Sequence, residues 1–472
     1  MRQVTNPDRL SGLDASFLAL EDGGAHMHVG SCMVFEGTAP THAEFVAQLE
    51  RRLHLVPRYR QKLAFVPFEA GRPVWVDDPH LNLGYHVRHT ALPEPAGMDE
   101  LRALAGRVLS QRLDRNKPLW EIWLVDRVAG DRFAIVAKTH HALVDGISGV
   151  DITTVLFDLE AEPPAAAVAP PPDPWLPRPE PSPATMLAEA IAERASGPVD
   201  LARGLAAAVA RPAAAREVLA GVGALARAGR SAPPSPYNVP IGPHRRFAWV
   251  AEDLGRFKAI KAALGGTVND AVLAVVTGAL REHLVTRGRD VDALPPLVAM
   301  VPVSVRADAE RGALGNRVTT MYAPLPVHEA DPVARFGLIH AAMAGLKESG
   351  QAVGAEALTR LTGFAPPTIL AQAARLQARQ RLFNLTVTNV PGPQFPLYLL
   401  GRRLLRIFPQ VPLAGNAALG IAIMSYDGTV NFGLLGDYDA MPDLDVVAGA
   451  LRRAIDELAA AAGSDAVPAA AR

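Results

Sequence analysis

Two adjacent histidines, His140 and His141, followed by Asp145 and Gly146 in the run THHALVDGISG, are the residues best placed to do chemistry in this chain. An imidazole has a pKa of about 6.5 and is therefore available as a base near neutral pH. Alcohols ionise far above that pH, so acyl transfer to a hydroxyl needs a base within hydrogen-bond reach as the oxygen attacks. The histidine pair suits that task. Asp145 either orients an imidazole, as a carboxylate does in a hydrolase triad, or caps the helix that starts there, or pins the loop through a distant arginine. The chain shows no nucleophile elbow. Cys32, in the strand-like run VGSCMVF, reads as a small buried hydrophobe.

These side chains need a frame. Residues 133–139 (FAIVAKT) read as a half-buried strand, and from Gly146 onward Ile147, Val150, Thr154 and Phe157 keep helical spacing. The pair thus sits where a strand hands over to a helix, a common place for reactive groups. Consecutive strand residues point to opposite faces. If the strand runs through both histidines, one imidazole faces a cavity and the other packs into the protein body. Further along, residues 245–250 read as a strand and 253–264 as a helix stopped by Gly265-Gly266. Thr267 then caps a long apolar helix reaching about His283. Residues 297–305 and 382–388 have strand character. Residues 419–426 and 429–435 flank Asp427-Gly428, a hairpin signal because the turn needs positive φ at both central positions.

An acyl-transfer intermediate also needs donors for its oxyanion. Asn269 is a candidate, since it sits at the start of an apolar helix, where developing negative charge is favoured. The surrounding Thr267-Val268-Asn269-Asp270 resembles a capping box with aspartate in the glutamate place, which by itself accounts for Thr267 and Asp270. Trp120, in Pro118-Leu119-Trp120-Glu121, either walls a substrate site or packs the core. Asn389-Val390-Pro391-Gly392-Pro393 follows a strand and reads as a rigid turn. His26 and His28 alternate in HMHVGSCMVF without an HExxH pattern or a cysteine partner, so no catalytic metal is expected. No GxGxxG or phosphate-loop pattern points to a nucleotide cofactor.

With 472 residues the chain exceeds what one core usually supports, and two domains are expected. Hydrophobic residues make up 49%, yet no uninterrupted apolar run reaches the roughly 18 residues a spanning helix needs. The single cysteine excludes disulfides and cysteine-rich zinc sites, and a net charge of −1 gives no sign of a nucleic-acid partner. The first residues lack the apolar core of a signal peptide, so a cytoplasmic protein is expected. Composition divides the chain into an N-terminal domain at 1–160, a proline- and alanine-rich linker and helical crossover at 161–243, a C-terminal domain at 244–460, and a disordered tail at 461–472. Periodicity gives an α/β or α+β protein. Residues 397–408 (LYLLGRRLLRIF) and the crossover are either ordinary amphipathic surface or contacts with an anionic lipid interface.

HHALVDG is an intact HHxxxDG motif. Together with Gly12-Leu13-Asp14-Ala15-Ser16-Phe17, Pro118-Leu119-Trp120-Glu121, Thr267-Val268-Asn269-Asp270 and Asn389-Val390-Pro391-Gly392-Pro393, it resembles the bacterial wax ester synthase/diacylglycerol acyltransferase family, within the HHxxxDG CoA-dependent acyltransferases. The resemblance runs from about residue 10 to about residue 460. It implies two chloramphenicol-acetyltransferase-like domains with the active-site channel between them. It implies that diacylglycerol is esterified by direct attack on acyl-CoA, which is a substrate and not a cofactor. Long-chain alcohols giving wax esters are the close alternative, and a silent lipid-binding scaffold the distant one. The family's second histidine is the base, which falls on His141, while His140 packs or tunes the pocket. The same likeness puts Asn389 and Gly392 near the channel, and its lipid substrates raise the prospect of contact with a membrane or lipid droplet.

Overall fold

The computed structural model describes residues 8–21, 23–144, 156–162, 175–193, 195, 232–304, 318–348 and 381–463. The alternating runs become strands. In the first part of the chain these are β1 (His28–Glu36), β2 (Gln61–Ala64), β3 (Val74–Asp77), β4 (Val87–Thr90), β5 (Trp120–Val128) and β6 (Arg132–His140). Then follow β7 (Arg245–Asp253), β8 (Leu297–Ser304), β9 (Val318–Leu325), β10 (Leu385–Pro391), β11 (Tyr398–Leu399), β12 (Arg402–Gln410), β13 (Leu419–Tyr426) and β14 (Thr429–Asp437). They form two six-stranded mixed sheets, ordered β11-β12-β1-β6-β5-β4 and β7-β14-β13-β10-β8-β9, and a small β2–β3 pair.

One connection cuts across the sequence boundaries. β11 and β12 come from the stretch assigned to the second domain, yet β12 pairs antiparallel with β1, from Gly30 opposite Gln410 to Phe35 opposite Leu404. The arginine-containing run 397–408 is therefore largely strand, and Leu404, Ile407 and Phe408 are buried core residues. Arg403 pairs with Asp427 at 2.8 Å. Leu399, Leu404, Ile407 and Phe408 are thus turned inward, as in an ordinary amphipathic surface strand, while Arg403 and Arg406 stay exposed.

The first sheet is covered on both faces. Met33, Phe35, Phe133, Ile135 and Trp120 pack one face against Phe45, Leu49 and Tyr59. Cys32, Val34, Ala134 and Val136 cover the other, against the helix Met98–Ser110 and against Phe247 and Trp249 of the second sheet. Trp249 stacks on Phe408 of β12 at 4.6 Å between ring centroids. Each fully buried large apolar side chain stabilises by about 1.5–3 kcal/mol, so this shared layer holds the two halves together. Cys32 is a buried core residue, and burial pushes its thiol well up.

The second core forms around the helix Val268–Thr286, which is buried on nearly all sides, as its apolar sequence requires. No single helix among the described residues is long and apolar enough to cross a membrane. The helices Leu254–Leu264 and Val268–Thr286 pass that test only as a pair bent by 101°, and they bury their apolar surface in this core. Asp427 (φ 41°) and Gly428 (φ 77°) make the β13–β14 turn as read from the sequence. Most of the crossover and the tail beyond 463 lie outside the described residues. Within 183–193, Met186 and Ala190 pack on Ala64, Val66 and Val76.

Candidate active site

β6 ends at His140, and His141 opens the short helix His141–Val144. Two backbone bonds make the change of direction. His140 N–H donates to Leu119 O at 2.9 Å, while His141 N–H turns to Met27 O at 2.7 Å. The two imidazoles part company at this junction, although the strand stops at His140 and does not run through both. His140 is 1% exposed, and its Nδ1 accepts from Ala142 N–H at 3.1 Å. A neutral ring that accepts at Nδ1 carries its proton on Nε2. Burial, then the Arg115 guanidinium and His141, push its pKa down to about 3, so the ring is neutral at physiological pH. His141 is only half-buried, with its ring 4.0 Å from that of Phe17 in the helix Gly12–Leu20. Of the pair, His141 is the more exposed. Asp145 and Gly146 lie outside the described residues.

Cross-strand register adds residues that the motif does not contain. His28 on β1 stands directly opposite His140, so both rings occupy one face of the sheet, edge to face at 6.1 Å. His26 stacks on His28 at 5.7 Å. Its Nε2–H donates to Pro243 O at 3.1 Å and its Nδ1 accepts from Arg112 Nε at 3.3 Å, so neither nitrogen is left for a metal. Burial, then Arg245, pushes the His26 pKa down to about 4; burial, then Lys138, holds His28 well below its usual value. Among the described residues no group of three His, Cys, Asp or Glu side chains converges as a metal site.

Two residues before His140, the buried Lys138 donates to Val108 O at 3.0 Å and Gln111 O at 2.7 Å. It thereby caps the C-terminal end of the helix Met98–Ser110, while Glu121 stands 3.4 Å away. Sequence reasoning passed over Lys138. The available signal was a lysine placed inside an otherwise apolar strand.

Trp120 belongs elsewhere. It pairs with Thr139 while Glu121 pairs with Lys138, so the indole lies on the face opposite His140. It is 0% exposed, donates Nε1–H to Tyr59 O at 2.8 Å and stacks on His86 at 4.5 Å. Of the two roles read for it, core packing is the one it fills, and the substrate-wall role is withdrawn.

The second half contributes a polar pair. Asn389 Nδ2 donates to Asn269 Oδ1 at 3.2 Å, joining residues 120 positions apart. Asp270 is a structural cap: its Oδ2 accepts from Thr267 N at 2.8 Å, His340 Nδ1 lies 3.0 Å away, and the residue is buried. At Gly392 a Cβ would collide with Ser425 O, so only glycine lets the NVPGP turn pack against β13. Among the described residues no hydrogen bond or ring contact ties Asn269 or Asn389 to the histidines. A cleft of about 630 Å³ between Glu44, Gln48, Arg51, Asp158, Leu400 and Arg402 lies elsewhere. Arg402 begins β12 and Gln410, near His28, ends it, so this cleft opens at the far end of the sheet from the histidines.

The family profile described as wax ester synthase/diacylglycerol acyltransferase catalytic domain matches residues 10–272, and the one described as WS/DGAT C-terminal domain matches 314–459. A Mycobacterium tuberculosis protein named "Probable diacyglycerol O-acyltransferase tgs1" is 33% identical over 458 residues, covering 96% of this chain and 95% of its own length. One named "Probable diacyglycerol O-acyltransferase tgs2", from the same organism, is 35% identical over 462 residues, covering 95% and 98%. The solved wax ester synthase/diacylglycerol acyltransferase from Marinobacter aquaeolei VT8 superposes with a TM-score of 0.67 at 29% identity, over 96% of this chain and all of that one. The first condensation domain of the calcium-dependent antibiotic synthetase shares the two-halved fold alone, at a TM-score of 0.59 and 18% identity over 99% and 98%. With both profiles in place and full-length relatives above 30% identity, this chain belongs to the wax ester synthase/diacylglycerol acyltransferase family.

Proposed function

We propose that the chain is an acyl-CoA-dependent diacylglycerol O-acyltransferase with His141 as its general base. One observation carries the assignment of roles: His140 is buried with Nδ1 occupied by Ala142 N–H, whereas His141 is the accessible member of the pair. His141 takes the proton of the acceptor hydroxyl as that oxygen attacks the thioester carbonyl. The tetrahedral intermediate then collapses, the C–S bond breaks, and the CoA thiolate recovers the proton from the imidazolium. No covalent enzyme intermediate and no cofactor are needed, because acyl-CoA brings the activated group as a substrate.

The Asn389–Asn269 bond supports a place for Asn269 in this scheme. With Oδ1 accepting from Asn389, the Asn269 amide has its N–H₂ free to donate, near the N-terminus of the helix Val268–Thr286. That is the polarity an oxyanion requires. We assign the enzyme to the cytoplasm, working against a lipid surface because its acceptor is insoluble. Phe68, 92% exposed at φ 58°, and the exposed Phe65 are the side chains placed to enter such a surface.

Purified protein given labelled palmitoyl-CoA and, in parallel, diacylglycerol, hexadecanol, glycerol or no acceptor tests the assignment. Triacylglycerol is the expected main product. Ester from hexadecanol alone makes the chain a wax ester synthase, and no ester with any acceptor overturns the enzymatic reading.

A further inference from the structure

Five buried polar atoms gather behind the histidine pair, each with no hydrogen bond among the described residues. They are Glu21 Oε1, Nδ1 and Nε2 of His28, Nε2 of His140, and Gln410 Oε1. Glu21 Oε1 and His28 Nε2 face each other, and since buried polar atoms are normally paired, the three left over, His28 Nδ1, His140 Nε2 and Gln410 Oε1, mark a place for a bridging group. The cluster is built. Arg115 holds Glu21 through its other oxygen, with Nε and NH2 at 3.0 and 2.6 Å from Oε2, and is itself anchored on Leu18 O at 2.8 Å. Glu21 Oε1 is directed at His28, 3.5 Å from Nε2, with both side chains almost wholly buried. The Gln410 amide lies over Gly30, next along the same face of β1, and its Nε2 stands 3.5 Å from His28 O.

The proton positions follow one another. Ala142 N–H on Nδ1 obliges His140 to carry its proton on Nε2, making that atom a buried donor. The Glu21 carboxylate favours the His28 tautomer with its proton on Nε2, which leaves Nδ1 as an acceptor. Donor and acceptor therefore belong to neighbouring rings, 6.1 Å apart between centroids with no direct hydrogen bond between them, and polar groups so placed are commonly bridged by water. A water there would accept from His140 and donate to His28 and to Gln410 Oε1, the roughly three bonds a buried water makes.

We propose that His28, steered by Glu21, is a positioning residue for the transfer reaction. A buried chain runs from the Glu21 carboxylate through His28 and one bridging water to His140, and it fixes the strand-to-helix turn that aims His141. This rests on His141 being the base. The chain moves no net proton. It locks the ring whose Nδ1 holds Ala142, and Ala142 immediately follows His141.

Replacing His28 by phenylalanine keeps a ring of similar volume and its edge-to-face contact but deletes the chain, whereas His28→Gln keeps a polar partner. Misaiming a catalytic group by a fraction of an ångström to about 1 Å lowers kcat by about 10–100-fold. His28→Phe and Glu21→Gln should both show such a loss with the KM for acyl-CoA nearly unchanged, and His28→Gln should recover most of it. Wild-type kcat in His28→Phe, or equal losses in His28→Phe and His28→Gln, would overturn the proposal. If His28→Phe does not fold, the ¹⁵N-histidine spectrum of the wild-type protein decides. A single neutral His28 tautomer protonated at Nε2 supports the chain; protonation at Nδ1, or a mixture of tautomers, refutes it. His141→Ala measured alongside keeps the two ideas apart. An active His141→Ala removes the base reading itself, while an inactive one beside a fully active His28→Phe removes only the chain.

Discussion

Replacing each histidine of the pair by alanine should produce opposite signatures. In His141→Ala the general base is gone, which typically costs about 10²–10⁴ in rate, equivalent to about 2.7–5.5 kcal/mol of transition-state stabilisation. His141 is half-buried and its ring contact is with Phe17, an aromatic pair worth about 0.5–1.5 kcal/mol. Acyl-CoA binding should change little, because the base acts on the acceptor hydroxyl. In His140→Ala the ring is wholly buried and the Ala142 N–H loses its acceptor, which alone costs about 1–3 kcal/mol, before the packing of the lost ring is counted. That variant should melt several degrees lower and lose activity in step with its loosened turn. Steady-state turnover of labelled palmitoyl-CoA beside calorimetric melts reads both effects. A His141→Ala protein with more than a tenth of wild-type kcat, or a His140→Ala protein with wild-type stability, would refute this division of roles.

Three further outcomes can be checked. The folded pKa values of His26 (about 4) and His140 (about 3) lie below the unfolded value of about 6.5, and His28 is shifted the same way. Their contribution to stability is thus fully present above pH 6.5 and is lost as pH falls, by up to about 1.4 kcal/mol per pH unit for each group; a melting temperature unchanged from pH 7.5 to 5 would contradict it. Asn389→Ala removes the bond that orients Asn269 and should lower kcat about 10-fold while KM stays close to wild type; a change confined to KM would place the pair in ground-state binding instead. Replacing Phe65 and Phe68 by serine should weaken co-sedimentation with diacylglycerol-containing vesicles while leaving turnover of a short soluble alcohol intact, and unchanged sedimentation would remove this loop from the lipid contact.

What the sequence made legible was local, and what it hid was pairing. The Asp427-Gly428 turn, the Thr267 cap and the strand before His140 depend on neighbours within a few residues, so composition and period reveal them. The return of β12 to the first sheet depends on partner choice across hundreds of residues, which no period encodes. Trp120 shows the same limit on a smaller scale. Its side was undecidable until register paired it with Thr139 and sent the indole away from His140. In the sequence His28 offers only a metal-ligand reading, set aside for want of partners, since antiparallel pairing alone sets it opposite His140. The Asn269–Asn389 contact joins two motifs that sequence reading could note separately but not bring together.

The electrostatics of this arrangement predict a simple pH–rate profile. His140, His28 and His26 stand around the base, and an ordinary histidine cluster would titrate together near neutrality and blur the acid limb. Here burial dominates each shift, and the cations reinforce it: Arg115 acts on His140, Lys138 on His28, and Arg245 on His26. Lys138 can play this part because two carbonyls and Glu121 hold its ammonium in place within the sheet. All three rings therefore remain neutral through the range where an acyltransferase works. No second ring of this cluster then adds its own proton to the acid limb of the rate. Log kcat/KM should fall on the acid side with a slope of one, and the same slope should persist in His28→Gln. A slope approaching two would mean that a second histidine of the cluster titrates with the base, and the desolvated cluster described above would then be wrong.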